Sequence, residues 1–381
     1  MADQHSVFTP PTPPGQGQRI AWRELHGGAA HLAVARTAQR HDGLTLIVCD
    51  DTRSAQRWLT ALEFYGGDVE LLHFPDWETL AYDAFSPHED IVSERLSTLQ
   101  RLPDTHQAML VVPVKTLLQR VVPRAYIDGY SMSVKLGQRF DIATERQRLT
   151  AAGYLAVETV SSHGQFAVRG SLMDIFPMGL DDPVRIDLLD DEIESLRTFD
   201  PDTQRTVDRV SGIEFLPAKE FPFDAAGIAR FRESWHNTFD VDVRRCSVYQ
   251  DVSEGIPPSG IEYYLPFFFS SLDSLFDYLP SNTLIVQETH VLKAAAQHVK
   301  EVRERYDNLA HDIERPILQP AKLFLDDDEL RAHLNRYGNI LIERPGKHEQ
   351  IFASRALPDL QANVRLRDPA QGLRAYLDAY T

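Results

Sequence analysis

Cysteine is scarce in this chain: Cys49 and Cys246 are the only two in 381 residues. They stand far apart and without metal-ligand spacing, which argues against a disulfide framework and a structural zinc site and fits a reducing compartment. No apolar run reaches the ~18 residues of a membrane span. The first residues lack a basic segment followed by an apolar core, so no secretory leader is expected and the expected location is cytoplasmic. Positive charge is in deficit, with 39 Lys and Arg against 56 Asp and Glu, a net charge of −17. A field of that sign repels phosphate backbones, so nucleic-acid binding through bulk electrostatics is not expected, although a local basic patch stays open. The sequence also contains no Gly-Lys-Ser/Thr. A phosphate loop needs glycines for close backbone approach, a lysine for charge and a hydroxyl for magnesium. Without them these residues are expected to hold no catalytic centre, no cofactor and no metal.

What is present is ordinary for a globular protein: 43% hydrophobic and 25% charged residues. The length predicts two to four domains. Residues 1–18 carry Pro10, Pro11, Pro13, Pro14, Gly15 and Gly17 and read as a flexible tail. From 19 to 130, helices at Gly28–Arg40, Arg53–Tyr65, Asp90–Leu102 and Val114–Arg120 alternate with apolar strands at Leu44–Cys49, Val69–His73 and Met109–Val112. Continuous apolar strands between helices predict a parallel sheet covered on both faces. Its first strand-to-helix turn reads Glu24-Leu25-His26-Gly27-Gly28, a nucleotide-binding scaffold without lysine or magnesium ligand. In the loop Phe74–Asp90, Asp76 and Glu78 form a candidate acid–base pair. The preferred reading is structural, with Trp77 and Phe85 covering the sheet.

Residues 131–217 predict a different unit, a small α+β domain. It opens with a strand at Ser131–Leu136 and a helix at Ile142–Ala152 capped by Gly153, then a strand at Tyr154–Val157. Four short runs follow: Phe166–Arg169, Leu172–Phe176, Val184–Leu189 and Ile193–Phe199, separated by turn residues. This spacing predicts an antiparallel meander. In the third run Val184, Ile186 and Leu188 alternate with Arg185, Asp187 and Leu189, so the first set faces a core and the second faces water. Leu189 shares the outer face with Arg185. That combination is either a docking surface or a surface arginine beside a tolerated exposed leucine.

From 218 to 345 the helix–strand rhythm returns, with a helix at Ala225–Phe239, a strand at Leu284–Gln287, helices at Thr289–Tyr306 and Asp326–Arg336, and strands at Leu323–Leu325 and Ile340–Ile342. Phe267-Phe268-Phe269 is too short to anchor in a membrane and reads as a buried segment. Residues 346–381 read as a linker and the start of a further domain, with a helix opening at Gln371.

Several strings carry a resemblance. Asp76-Trp77-Glu78-Thr79-Leu80, Ser86-Pro87-His88-Glu89-Asp90-Ile91, Arg169-Gly170-Ser171-Leu172-Met173-Asp174-Ile175-Phe176-Pro177, Asp190-Asp191-Glu192-Ile193-Glu194-Ser195-Leu196-Arg197 and Gly260-Ile261-Glu262-Tyr263-Tyr264 resemble the N-terminal region of bacterial transcription-repair coupling factors. The meander is also similar to the second domain of the excision-repair helicase UvrB. The resemblance implies a motor-like α/β domain in two segments, 19–130 and 218–345, with an inserted UvrB-like domain at 131–217. It implies a module that has lost the ATPase motifs and recruits UvrA to sites of stalled RNA polymerase. By the same resemblance the UvrA contacts fall at Arg169, Arg185 and Leu189, where Leu189 replaces the family's phenylalanine. The parent protein would be an ATP-dependent DNA translocase, with ATP and Mg2+, DNA and RNA polymerase all bound by regions beyond Thr381. The parent's other domains would mask the UvrA surface at rest. The alternative is a DNA-binding or helicase-like module related to UvrB.

Overall fold

The computed structural model describes residues 4–356, 360, 368 and 370–379. The strands in chain order are β1 (Gln4–His5), β2 (Arg19–Arg23), β3 (Leu44–Cys49), β4 (Glu70–His73), β5 (Ala108–Pro113), β6 (Arg120–Val121), β7 (Met132–Lys135), β8 (Leu155–Ala156), β9 (Gln165–Arg169), β10 (Leu172–Ile175), β11 (Val184–Leu189), β12 (Glu192–Phe199), β13 (Thr206–Arg209), β14 (Gly212–Phe215), β15 (Asp273–Ser274), β16 (Leu284–Gln287), β17 (Gly338–Ile342) and β18 (Glu349–Phe352). Eight of them form one sheet in the order β1-β18-β2-β17-β16-β3-β5-β4. Every neighbouring pair in it is parallel. β3 and β5 are buried at every residue, which follows from their unbroken apolar runs. Two apolar cores flank the sheet. One holds Trp22, Ala33, Val34, Trp58 and Leu62 under the Ala29–Ala38 and Thr52–Tyr65 helices. The other holds Phe74, Leu96, Leu110, Phe231, Trp235 and Tyr264 and runs on beneath the smaller sheet.

That smaller sheet has six strands in the order β13-β12-β11-β10-β9-β8. From β9 to β13 it is an antiparallel meander; β8 joins at the edge in parallel. The turns are tight where the sequence supplies the residues: Gly170 and Asp190 both take positive φ, 63° and 56°. Phe166, Met173, Ile175, Val184, Ile186, Leu188, Ile193 and Leu196 form its buried face. Phe140 and Leu149, the latter from the Ile142–Ala151 helix, lie in the same core.

Several expectations need correcting. Within the expected tail 1–18, residues 4–18 are tied to the large sheet. β1 pairs with β18, Arg40 Nη2 donates to the Pro10 carbonyl at 2.7 Å, and Gly338 admits the Pro14 carbonyl so closely that a Cβ would meet it at 2.2 Å. The expected linker after 345 contributes β18, which runs beside β2. Helix Gln371–Asp378 is present; the rest of that stretch, at 357–359, 361–367, 369 and 380–381, lies outside the described residues. The helix from Val114 stops at Leu117 because Arg120–Val121 pairs with β15. Leu323–Leu325 is no strand; Phe324 makes a single bridge to Gln119. Trp77 is buried as expected, but Phe85 is 69% exposed. Asp76 and Glu78 form no acid–base pair: Asp76 Oδ2 binds Lys115 Nζ at 2.7 Å and accepts the Glu78 amide at 2.9 Å. Phe267 and Phe268 are buried, at the end of the Ile261–Phe267 3-10 helix.

Candidate partner-docking face

Opposed residues on neighbouring strands share a face of a sheet. In the smaller sheet Arg169 stands opposite Leu172, which stands opposite Asp187, which stands opposite Ser195. One pleat away, Ala167, Asp174, Arg185 and Arg197 form the next row. Leu189 follows Asp187 on the same face. The structure therefore brings Arg169, Arg185 and Leu189 onto one outer face, turned away from the shared core.

Their environments differ. Arg169 is exposed, and its Nη2 is steadied by the Glu158 carbonyl and, at 3.3 Å, by Thr159 Oγ1. Leu189 is 63% exposed. Arg185 is not a free surface arginine. Its Nε and Nη2 grip Asp174 Oδ1 and Oδ2 at 2.8 and 3.0 Å. Its guanidinium carbon lies 4.9 Å from the Phe199 ring centroid. Its side chain is 17% exposed and that of Asp174 1%. Hydrogen bonding to Asp174 raises the Arg185 pKa further above its ordinary value. Nη1 reaches only the Gln204 carbonyl, at 3.5 Å. Arg197 and Ser195 both bind Asp187, so that carboxylate is neutralised within the face.

Asp174, Phe199 and the Asp187–Arg197 pair were not singled out from sequence. Asp174 offered one signal, a lone acid between Met173 and Ile175 in an apolar strand. A small second core of Val160, Ala167, Phe176 and Phe199 covers part of the same face. The 157–164 segment contributes Val160 and the partly buried Val157, and His163 anchors that segment. The two His163 ring nitrogens face Asp90 Oδ1 at 2.7 Å and the Leu180 carbonyl at 2.8 Å.

At the degenerate phosphate-loop position, two backbone amides are already engaged. The Leu25 amide donates to Glu343 Oε1 at 2.6 Å and the His26 amide to Ser354 Oγ at 2.9 Å. A carboxylate of the chain itself thus takes up the Leu25 amide just ahead of the two glycines. Among the described residues no group of His, Cys, Asp and Glu has the arrangement of a metal site, and no helix is long and apolar enough to cross a membrane.

Residues 132–221 match the family model of the UvrB interaction domain. Fold and face together define the class: a UvrB-interaction domain joined to a parallel α/β sheet. The chain is 40% identical, over its whole length, to the transcription-repair-coupling factor of Escherichia coli. It is 40% identical over 98% of its length to that of Haemophilus influenzae and 31% over 84% to that of Myxococcus xanthus. The chain belongs to the transcription-repair-coupling factor family. It spans 33%, 33% and 28% of the length of these three relatives.

Proposed function

We propose that this chain is the N-terminal adaptor module of a transcription-repair coupling factor and that it recruits UvrA in nucleotide excision repair. The observation that carries this reading is the outer face of β9–β12, where Arg169 and Leu189 stand exposed beside an anchored Arg185, inside the segment that matches the UvrB interaction domain.

Arg169 supplies the accessible charge. Its planar fork suits a carboxylate on the partner, and Leu189 adds apolar contact beside it. Arg185, held by Asp174, presents only its outer edge and fixes the shape of the surface. A charge-assisted hydrogen bond contributes roughly 1.5–3 kcal/mol, so losing the Arg169 contact is expected to weaken binding about tenfold to a hundredfold. The module has no catalysis of its own. The whole protein is an ATP-dependent DNA translocase of the cytoplasm that displaces stalled RNA polymerase, with ATP and Mg2+ bound in a motor outside this chain.

Co-elution of purified UvrA with the chain on size exclusion tests the adaptor reading. Complex formation by the wild type, lost in Arg169→Ala/Leu189→Ala, is expected. Complex formation unchanged in the double variant places the interface elsewhere. An ATP hydrolysis assay on the chain alone is expected to stay at background, and turnover there contradicts the adaptor assignment.

A further inference from the structure

Strand β2 carries Arg19 and Arg23 on one face. Arg23 is neutralised by Glu343 and Glu349, at 3.7 and 3.2 Å. Arg19 is not. It stands opposite Asn339 in the β2–β17 register. Asn339 is fully buried, and its Nδ2 donates to the Leu334 and Tyr337 carbonyls at 2.8 and 2.9 Å. Its Oδ1 accepts from Gln287 Nε2 at 2.6 Å, and Gln287 Oε1 accepts from Arg344 Nη1 at 3.4 Å. Arg331 lies one turn before Leu334 on the Asp327–Leu334 helix. Arg344 thus bonds to the buried amide pair, Arg19 stands beside it in register, and Arg331 lies one turn from a carbonyl that Asn339 binds.

Their mutual influence agrees with that placement. Burial lowers the Arg344 pKa most, and Arg19 and Arg331 lower it further. Asp50 is the carboxylate that opposes them; it accepts the His290 amide at 3.0 Å and is itself pushed upward by burial and by Glu288. Among the described residues no ion pair joins Arg19, Arg331 or Arg344 to a carboxylate. Acids outnumber bases by 56 to 39 in this chain, so three neighbouring arginines without a carboxylate partner are a local reversal of its charge.

We propose that Arg19, Arg331 and Arg344, set around the Gln287–Asn339 pair on one face of β2, β17 and β16, bind the multivalent phosphate group of a small ligand. Guanidinium forks match phosphate oxygens, and a doubly or triply charged anion offsets the local excess of positive charge. A compact anion feels mainly these neighbours, because charges beyond about 8 Å are screened at physiological salt. A long polyanion extends over the acidic remainder of the surface and is repelled. The site is separate from the UvrA-docking face, which lies on the other sheet. It is also distinct from the phosphate-loop position, where Glu343 and Ser354 bind the Leu25 and His26 amides.

Calorimetric titration of the chain with pyrophosphate at physiological ionic strength tests the site. The wild type is expected to bind one equivalent and to melt at a higher temperature in its presence. Arg344→Gln is expected to weaken binding tenfold or more. Arg19→Gln/Arg331→Gln replaces exposed side chains only, so it keeps the fold and is expected to lose the same factor. No binding by the wild type at millimolar pyrophosphate overturns the proposal, as does undiminished affinity in the folded double variant. ADP in place of pyrophosphate separates the two sources: tighter binding of ADP assigns a nucleotide, equal binding assigns the phosphate group alone, and both support the site. Displacement of pyrophosphate by a short DNA duplex, abolished by the same substitutions, overturns the small-ligand assignment.

Discussion

Removing Arg185 leaves the Asp174 carboxylate buried without its cation. Breaking a buried pair from one side costs about 3–5 kcal/mol, and the Arg185 side chain, at 17% exposure, lies near that regime. Arg185→Ala is therefore expected to lower stability by roughly 3 kcal/mol in urea unfolding. Arg169→Ala, at the surface, should stay within about 0.5 kcal/mol of wild type. A binding loss in Arg169→Ala reports the interface, whereas one in Arg185→Ala mixes interface and folding. Glu262 gives a separate signature. Burial raises its pKa from 4.5 to about 7, and the Ser86 hydroxyl bonds its Oε2 at 2.8 Å. The folded state therefore holds this proton more tightly than the unfolded chain. Its stabilising effect is complete below about pH 4.5 and is lost as pH rises through about 7. Glu262→Gln should remove that slope, so its stability relative to wild type should grow with pH across this window by roughly 3 kcal/mol; parallel curves for the two proteins contradict the assignment. Of these residues, the outward Arg185 and Leu189 were legible, because period-two alternation needs no tertiary knowledge. The Asp174 partner was not, because the long 176–183 connection conceals the register that sets it opposite Arg185.

Long elements with strong local signals were legible close to their observed ends. Asp51 caps the Thr52–Tyr65 helix through the Ser54 amide at 2.7 Å, and β3, β11 and β16 fall at the expected residues. The missed strands are short or polar. β13 is exposed at all four residues, and β1 has only two, so neither carries a periodic apolar pattern. Contacts between distant segments were also out of reach. Arg95, on the Glu89–Arg101 helix, is fully buried and binds Glu220 at 2.7 Å; Trp77 Nε1 donates to the same carboxylate at 2.9 Å. The Arg95 guanidinium also stacks over Phe74 and Trp77, 4.3 and 5.0 Å from their centroids. This cluster fastens the chain leaving the smaller sheet to the larger one. Arg95→Ala is expected to destabilise by about 3–5 kcal/mol. Arg95→Met/Glu220→Met, which removes both charges and fills the space, should cost less. Chemical denaturation compares the two, and a larger loss in the double variant contradicts the buried-pair account.

The molecule joins a large parallel sheet to a smaller sheet that displays the proposed docking face. Both sheets share one continuous core, so the 157–164 segment, clamped by His163 to Asp90 and Leu180, sets how Arg169 is presented. His163→Ala should loosen the Glu158 and Thr159 contacts of Arg169 and weaken UvrA binding several-fold with the fold retained; unchanged binding removes the clamp from the account. If further domains of the whole protein mask this face, the isolated chain should bind UvrA more tightly than the whole protein does, and equal affinities contradict masking. The most direct test of the adaptor assignment is calorimetric titration of UvrA with the chain, comparing wild type with Arg169→Ala/Leu189→Ala and with Arg19→Gln/Arg331→Gln. Binding by the wild type and by the second variant, with a loss of about tenfold or more in the first, is the expected result. Equal binding by all three, or none by the wild type, contradicts a UvrA-docking role for the β9–β12 face.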